Sequence, residues 1–283
     1  MLTNELMGYL ALGILWVNTL LVAGAAWQQM RALLDRRSAM RPLAPGAIGE
    51  GLLKARVARG DGSGGAIAVQ RIEQVGRAVE GDTAIVFHDR SAKGEITGGA
   101  IEDGGDTLTV AAQAEAEVWL TADEIAKVGA CASPAAFDEA FTAARKARGF
   151  ARTIAAEVAE GREVFVCGRV EEKDGARVIG PAKGGLLVAT MDPRAVLARK
   201  AALALAFIVG EIGLAAACTT IALWPPIFGR VSTIGGALCL FFFLLVQPAG
   251  TAVRDAILVP SRAIVRGTWK RAAATGEAAA QTA

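Results

Sequence analysis

Histidine is nearly absent from this chain, with one in 283 residues, and cysteine is scarce, with four. So few ligands exclude a multi-ligand zinc site and a disulfide framework of the kind that staples small secreted domains. An excess of either charge is missing too: 30 Lys and Arg against 28 Asp and Glu leave a formal +2. Nucleic-acid-binding proteins carry a strongly basic face, so this balance argues against a nucleic-acid partner. Charged residues reach only 20%, whereas hydrophobic residues reach 53%, more than soluble domains usually hold. The location of that excess decides the architecture.

Three runs are long enough to cross a bilayer, which takes about 20 mostly apolar residues: residues 8–27, 201–224 and 233–251. Trp27 and Trp224 close the first two, where amphipathic rings favour the headgroup region. The opening MLTNELM has no basic residue, unlike a cleaved signal peptide, so the first run reads as a retained anchor although Ala23-Gly24-Ala25 could be cleaved. Basic residues mark one side of every run. Arg31, Arg36, Arg37 and Arg41 follow the first, and Arg194, Arg199 and Lys200 precede the second. Arg254, Arg262, Arg266, Lys270 and Arg271 follow the third, while the turn at 225–232 holds only Arg230. The positive-inside rule then predicts an external N-terminus (1–7), a basic juxtamembrane linker (28–44), a cytosolic middle (45–192) and a helix entering the membrane from 193. An external turn (225–232) and a cytosolic tail (252–283) complete the topology. Ala- and Gly-rich usage without a transit-type N-terminus fits a bacterial inner membrane.

Residues 45–192 suffice for an independent soluble core. Short β-like runs alternate there with turns: 51–57, 66–72, 83–88, 107–112 and 116–120, then 163–170, 177–179 and 186–190. One helix lies between the clusters, with Ser133 as N-cap, Pro134 at its first position and Gly149 at its end. The fold class predicted is a membrane protein with three transmembrane α-helices and a soluble, β-rich α+β domain between the first and second. Its sheet is a small antiparallel one or a barrel. Cys131 and Cys167 would be thiols in a reducing compartment.

The segment from Gly149 carries a set of turns in a fixed order. An amphipathic lead-in reaches Glu160-Gly161, a strand ends at Cys167-Gly168, and a charged hairpin follows. An I-x-P-x-x-G step (Ile179, Pro181, Gly184) then leads through a strand into the second apolar run. This order resembles the GIDE/MULAN family, in which a "beside-a-membrane" domain sits between transmembrane helices, and it implies structural roles for Gly161, Gly168, Pro181 and Gly184. Family members are ubiquitin ligases through a RING finger after the last span. A RING needs about eight Cys and His ligands, and no Cys or His follows Cys239, so ligase activity is not implied here.

The chain offers few candidate sites. Glu211 lies inside the second apolar run, and an intramembrane carboxylate suggests function by default. Asn18 lies at a similar depth in the first run, which makes Glu211 and Asn18 a candidate polar pair. A protonated Glu211 would hydrogen-bond Asn18 or a backbone group. The alternatives are an interfacial Glu on a span distorted at Gly210 and Gly213, or an ion pathway. Small residues at Ala202, Ala206 and Gly210, and at Gly235 and Cys239, suit close helix packing within one chain or in a homo-oligomer. His88, beside Asp89, Arg90 and Ser91, reads as a hairpin tip, and the glycine-rich 60–65 as a loop without the Lys-Ser/Thr of a P-loop. Arg254, Arg262, Arg266 and Lys270, interleaved with apolar residues and Trp269, read as a basic amphipathic segment on an anionic membrane surface. No catalytic residue, metal ligand or cofactor is predicted. The partners expected are the lipid bilayer and a protein bound by the soluble domain. The predicted function is non-catalytic binding, sensing or scaffolding beside the membrane. Alternatives are a membrane effector or transport subunit using Glu211, or a ligase relative lacking its RING.

Overall fold

The computed structural model describes residues 2–58, 66–79, 84–173, 175–223, 241, 244 and 268–270. It divides into two compact units: a helical one (residues 1–41 and 192–263) and a β-rich one (42–191 and 264–283).

The helical unit contains α1 (Leu2–Ala39) and α4 (Pro193–Leu223). The stretch read as a linker continues α1 as far as Ala39, because QQMRALLDRRSA consists of good helix formers. The two helices run antiparallel: Leu15 packs with Ala215 and Cys218, Ala23 and Ala26 with Ile208, and Met30 with Ala201 and Ala204. On α4 Pro193 and Lys200 are buried near the start, and from Leu197 onward Ala201, Ala204, Ile208, Glu211, Ala215, Cys218 and Ala222 form a buried stripe alternating in steps of three and four. That is the spacing of a left-handed helix seam. Small residues dominate it and let the backbones approach closely. Trp16 Nε1 donates to Thr219 Oγ1 at 2.9 Å across the pair.

The β-rich unit is built on a closed ring. Strand β1 (Gly49–Val57) pairs with β8 (Glu163–Lys173) along one edge, and at Arg56 and Val57 with β4 (Gly99–Asp103) along the other. A hairpin joins β4 to β5 (Asp106–Val110), β5 runs parallel to β9 (Ala176–Gly180), and β9 turns back on β8. The order β1-β4-β5-β9-β8 therefore closes on itself, giving a five-stranded Greek-key barrel of the kind seen in OB-folds. Closure removes the free edges that invite mispairing. A second set of strands is inserted into the ring's connections: β2 (Ala68–Ala78), β3 (Ala84–Ile96), β6 (Gln113–Trp119) and β7 (Phe150–Glu157), in the order β7-β2-β3-β6. Strand β10 (Leu187–Ala189) joins the two sets, lying between β6 and β8. A continuous apolar core, including Leu53, Ile72, Ile101, Leu108, Val166, Ile179 and Val188, is common to both.

Two short helices complete the unit. Helix α3 (Pro134–Ala144) begins at the expected Ser133 cap, whose Oγ accepts from Ala136 N. It packs Phe137, Ala140 and Ala144 on Ile85 and Phe87 of β3. Helix α2 (Ala122–Val128) begins with a reciprocal capping box between Thr121 and Glu124. A last strand, β11 (Thr268–Lys270), pairs antiparallel with β3 through Thr268↔Val86, Trp269↔Ile85 and Lys270↔Ala84.

The family-motif positions fall into different physical classes. Strand β8 does not end at Gly168 but continues to Lys173. Gly168 sits where β8, β9 and the lead into β10 converge: a Cβ there would lie 2.5 Å from Gly180 O and 2.8 Å from Leu186 Cδ1. Gly161 is needed for its conformation, with φ at 72° and open space around it. Pro181 and Gly184 are exposed in the β9–β10 connection, whose left-handed residue is the neighbouring Gly185 at φ 86°. Gly168→Ala should therefore cost about 2–3 kcal/mol from overpacking against backbone, and Gly161→Ala about 1–2 kcal/mol from left-handed strain. Thermal unfolding measures both, and equal shifts would contradict the distinction.

Candidate functional site

In the helical unit the polar residues Thr19 and Glu211 lie inside, while most of the large apolar ones lie outside. Glu211 is 4% exposed and Thr19 fully buried. The contacts of Leu15 with Ala215 and of Ala23 with Ile208 place these two residues at one level of the seam. Both carboxylate oxygens of Glu211, Oγ1 of Thr19 and Nδ2 of Asn18 are buried without a hydrogen-bond partner. The sequence singled out Glu211 and Asn18; Thr19 emerges only from the helix register. The outward faces carry Tyr9, Leu10, Ile14, Val17, Leu20 and Leu21 on α1, and Leu203, Leu205, Val209, Ile212, Leu214 and Ile221 on α4. Ile14 is 65% exposed and Val209 62%. Ala202, Ala206 and Gly210 belong to an exposed face of α4, not to the seam with α1.

In the β-rich unit a buried polar cluster centres on Arg152, carried by β7. Its Nε donates to Gln74 Oε1 at 2.9 Å, and Nη1 donates to Gly129 O at 2.8 Å. Gln74 Nε2 in turn donates to Asp89 Oδ1 at 2.7 Å. The guanidinium lies 3.4 Å from the centroid of Phe87 and 4.7 Å from that of Trp269. Burial lowers its pKa to about 10, opposed by the charge of Asp89, so Arg152 stays cationic at neutral pH. Trp269 Nε1 also donates to Gly129 O, at 2.7 Å. Every polar atom named here bonds within the unit. The cluster therefore works as a clasp that holds the C-terminal strand β11 on β3.

This placement corrects two sequence expectations. Trp269 and Lys270 lie on a strand rather than a membrane-surface helix, with Lys270 exposed. Arg254, Arg262 and Arg266 lie outside the described residues, as does 60–65. His88 lies within β3, exposed, and not at a hairpin tip. Its neighbour Asp89 accepts from Gln74, and Ser91 Oγ donates to Glu73 at 2.8 Å, so both serve cross-strand pairing. Among the described residues no three His, Cys, Asp or Glu side chains converge as metal ligands. Cys131 and Cys167 are thiols, half-buried.

A second, half-buried network forms on Glu124. Burial opposes its charge, but hydrogen bonds from Thr190, the Thr121 backbone and side chain, and Arg162 outweigh it and lower its pKa from the ordinary 4.5. A carboxyl with a depressed folded-state value stabilises the fold above its unfolded value, and loses that contribution as pH falls through the folded value. Glu124→Gln should therefore destabilise the protein at neutral pH, and the gap to wild type should narrow as the pH falls below 4.5. Melting curves across that range test it; a gap independent of pH would mean that Glu124 acts only as a neutral hydrogen-bonding group.

No protein-family model matches the chain, and neither a curated protein nor a solved structure is similar to it.

Proposed function

We propose that this protein is a multi-pass membrane scaffold that presents its barrel unit beside the bilayer for binding to a protein partner. The observation that carries the reading is the inverted polarity of the α1–α4 pair. In water, helices bury large apolar residues and expose polar ones. Here the buried stripe is rich in alanine and holds Thr19 and Glu211, while most leucines, isoleucines and valines face outward, Leu15, Leu197 and Ile208 excepted. Both helices are long and apolar enough to cross a membrane. Lipid is the solvent in which such a surface costs nothing.

Connectivity supports a third crossing. Strand β11 belongs to the same folded unit as residues 42–191. If α4 carries the chain across the bilayer, residues 224–267 must bring it back before Thr268 can pair with β3. The apolar run 233–251 is the segment of sufficient length. Arg31, Arg36, Arg37 and Arg41 lie near one end of α1, and Arg194, Arg199 and Lys200 lie at the antiparallel end of α4. The positive-inside rule places that end, and the barrel unit with it, in the cytosol, at a bacterial inner membrane. The resemblance of the segment after Gly149 to the GIDE/MULAN family supports a membrane-proximal binding module. A second reading, a transport or effector subunit, is favoured by the buried Glu211.

The test combines alkaline carbonate extraction with protease protection. Full-length protein should remain in the membrane pellet, and protease should digest residues 42–191 in inside-out vesicles but not in right-side-out cells. Release by carbonate, or digestion from the outer face, would overturn the reading.

A further inference from the structure

We propose that Glu211 and Thr19 form a proton-binding site inside the helix pair, in which Glu211 is held as a neutral carboxylic acid. The inference rests on α1 and α4 spanning the bilayer. Three buried polar atoms of these two residues lack partners at a single level of the seam, the two Glu211 oxygens and Thr19 Oγ1; Asn18 Nδ2 is also unpartnered, but Asn18 lines a groove on α1 with Tyr9, Gly13, Ile14, Val17 and Leu21. Orphaned polar groups in hydrocarbon cost several kcal/mol each, so their coincidence at one level calls for a ligand.

The nature of the ligand follows from what surrounds the carboxylate. On α4 the first cation is Lys200, eleven residues from Glu211, or about 16 Å along the axis. On α1 the first cation is Arg31, twelve residues from Thr19, or about 18 Å. The remaining titratable group on the seam is the Cys218 thiol, seven residues along α4. No described counter-charge therefore neutralises an ionised Glu211. A metal cation is a poor substitute: hard ions take about six oxygen ligands or more, and helix carbonyls at this level are spent on helix hydrogen bonds. A proton completes the set. The Glu211 hydroxyl would donate to Thr19 Oγ1. Removal of the proton would leave a charge in the seam, so helix packing and proton occupancy are coupled.

The experiment uses full-length protein in native membranes that retain it after carbonate washing. Dicyclohexylcarbodiimide partitions into hydrocarbon and reacts with protonated carboxyls, and mass spectrometry locates the adduct. Labelling should fall on Glu211, be absent in Glu211→Gln, and decline about tenfold per pH unit once the site titrates. Replacing potassium by sodium at fixed pH should leave it unchanged. Glu211→Gln, which mimics the neutral acid, should keep the protein folded at every pH tested. Protection by sodium would overturn the proposal in favour of a metal cation. Equal labelling by a water-soluble carbodiimide, or no labelling at Glu211 in carbonate-resistant membranes, would overturn it while leaving the membrane reading intact. Release by carbonate would remove both.

Discussion

Arg152→Ala should destabilise the β-rich unit by about 2–4 kcal/mol, the cost of removing a half-buried cation that makes two hydrogen bonds and stacks on two rings. The guanidinium bonds Gln74 and the Gly129 carbonyl while stacking on Phe87 and Trp269. Truncation removes all of these at once. It also leaves Gln74, which is 1% exposed, with a buried oxygen lacking a donor, and an orphaned buried acceptor alone costs about 1–3 kcal/mol. Arg152→Lys should recover less than half of the loss, because an ammonium cannot fork between two acceptors while presenting a flat face to two rings. Denaturant unfolding of the solubilised protein measures both variants. Full recovery by lysine would mean that the positive charge, and not the planar fork, is what the cluster requires.

What was legible in the sequence separates along physical lines. Strands β1, β5, β6 and β8 and helix α3 were readable because alternation and a Ser-Pro start are local signals. Strand β7 was not. Phe150–Glu157 is alanine-rich and reads as an amphipathic lead-in, and only pairing with β2 over Val69↔Glu157 to Gly76↔Phe150 makes it a strand. β propensity depends on such neighbours. Strand β11 has three residues, too few for any period, and the spacing of Arg262, Arg266 and Lys270 suited a helix. The Arg152 clasp was invisible for the same reason, since its members come from β2, β3, β7, β11 and the end of α2. Helix α2 does carry a local signal, since Thr121 followed three residues later by Glu124 is a capping box. Within the apolar runs Glu211 stood out as an ionisable residue out of place. Thr19 did not, because threonine is ordinary in a membrane helix, and only its register opposite Glu211 gives it meaning.

Trp269→Ala should release the C-terminal strand without unfolding the barrel. The half-buried indole packs against Phe87 and Phe150 at centroid distances of 5.0 and 6.2 Å, and donates to Gly129 O. Aromatic pairing contributes about 0.5–1.5 kcal/mol beyond area, and the hydrogen bond about 1 kcal/mol. With the lost apolar burial the substitution should weaken docking by about 3 kcal/mol, or roughly a hundredfold in the docking equilibrium. Three residue pairs with β3 cannot compensate for that. Hydrogen exchange should therefore accelerate at residues 84–86, while amides of β1 and β8 in the ring stay protected, because the ring closes without β11. Trp269→Phe should keep most of the docking and lose only the bond to Gly129. The two variants also bear on topology. If the strand is the cytosolic end of a third crossing, its release leaves a C-terminal tag on the same side as residues 42–191, merely more open to protease. A tag that instead became accessible from the opposite face would show that docking on β3, and not a third span, had been holding the tail on that side.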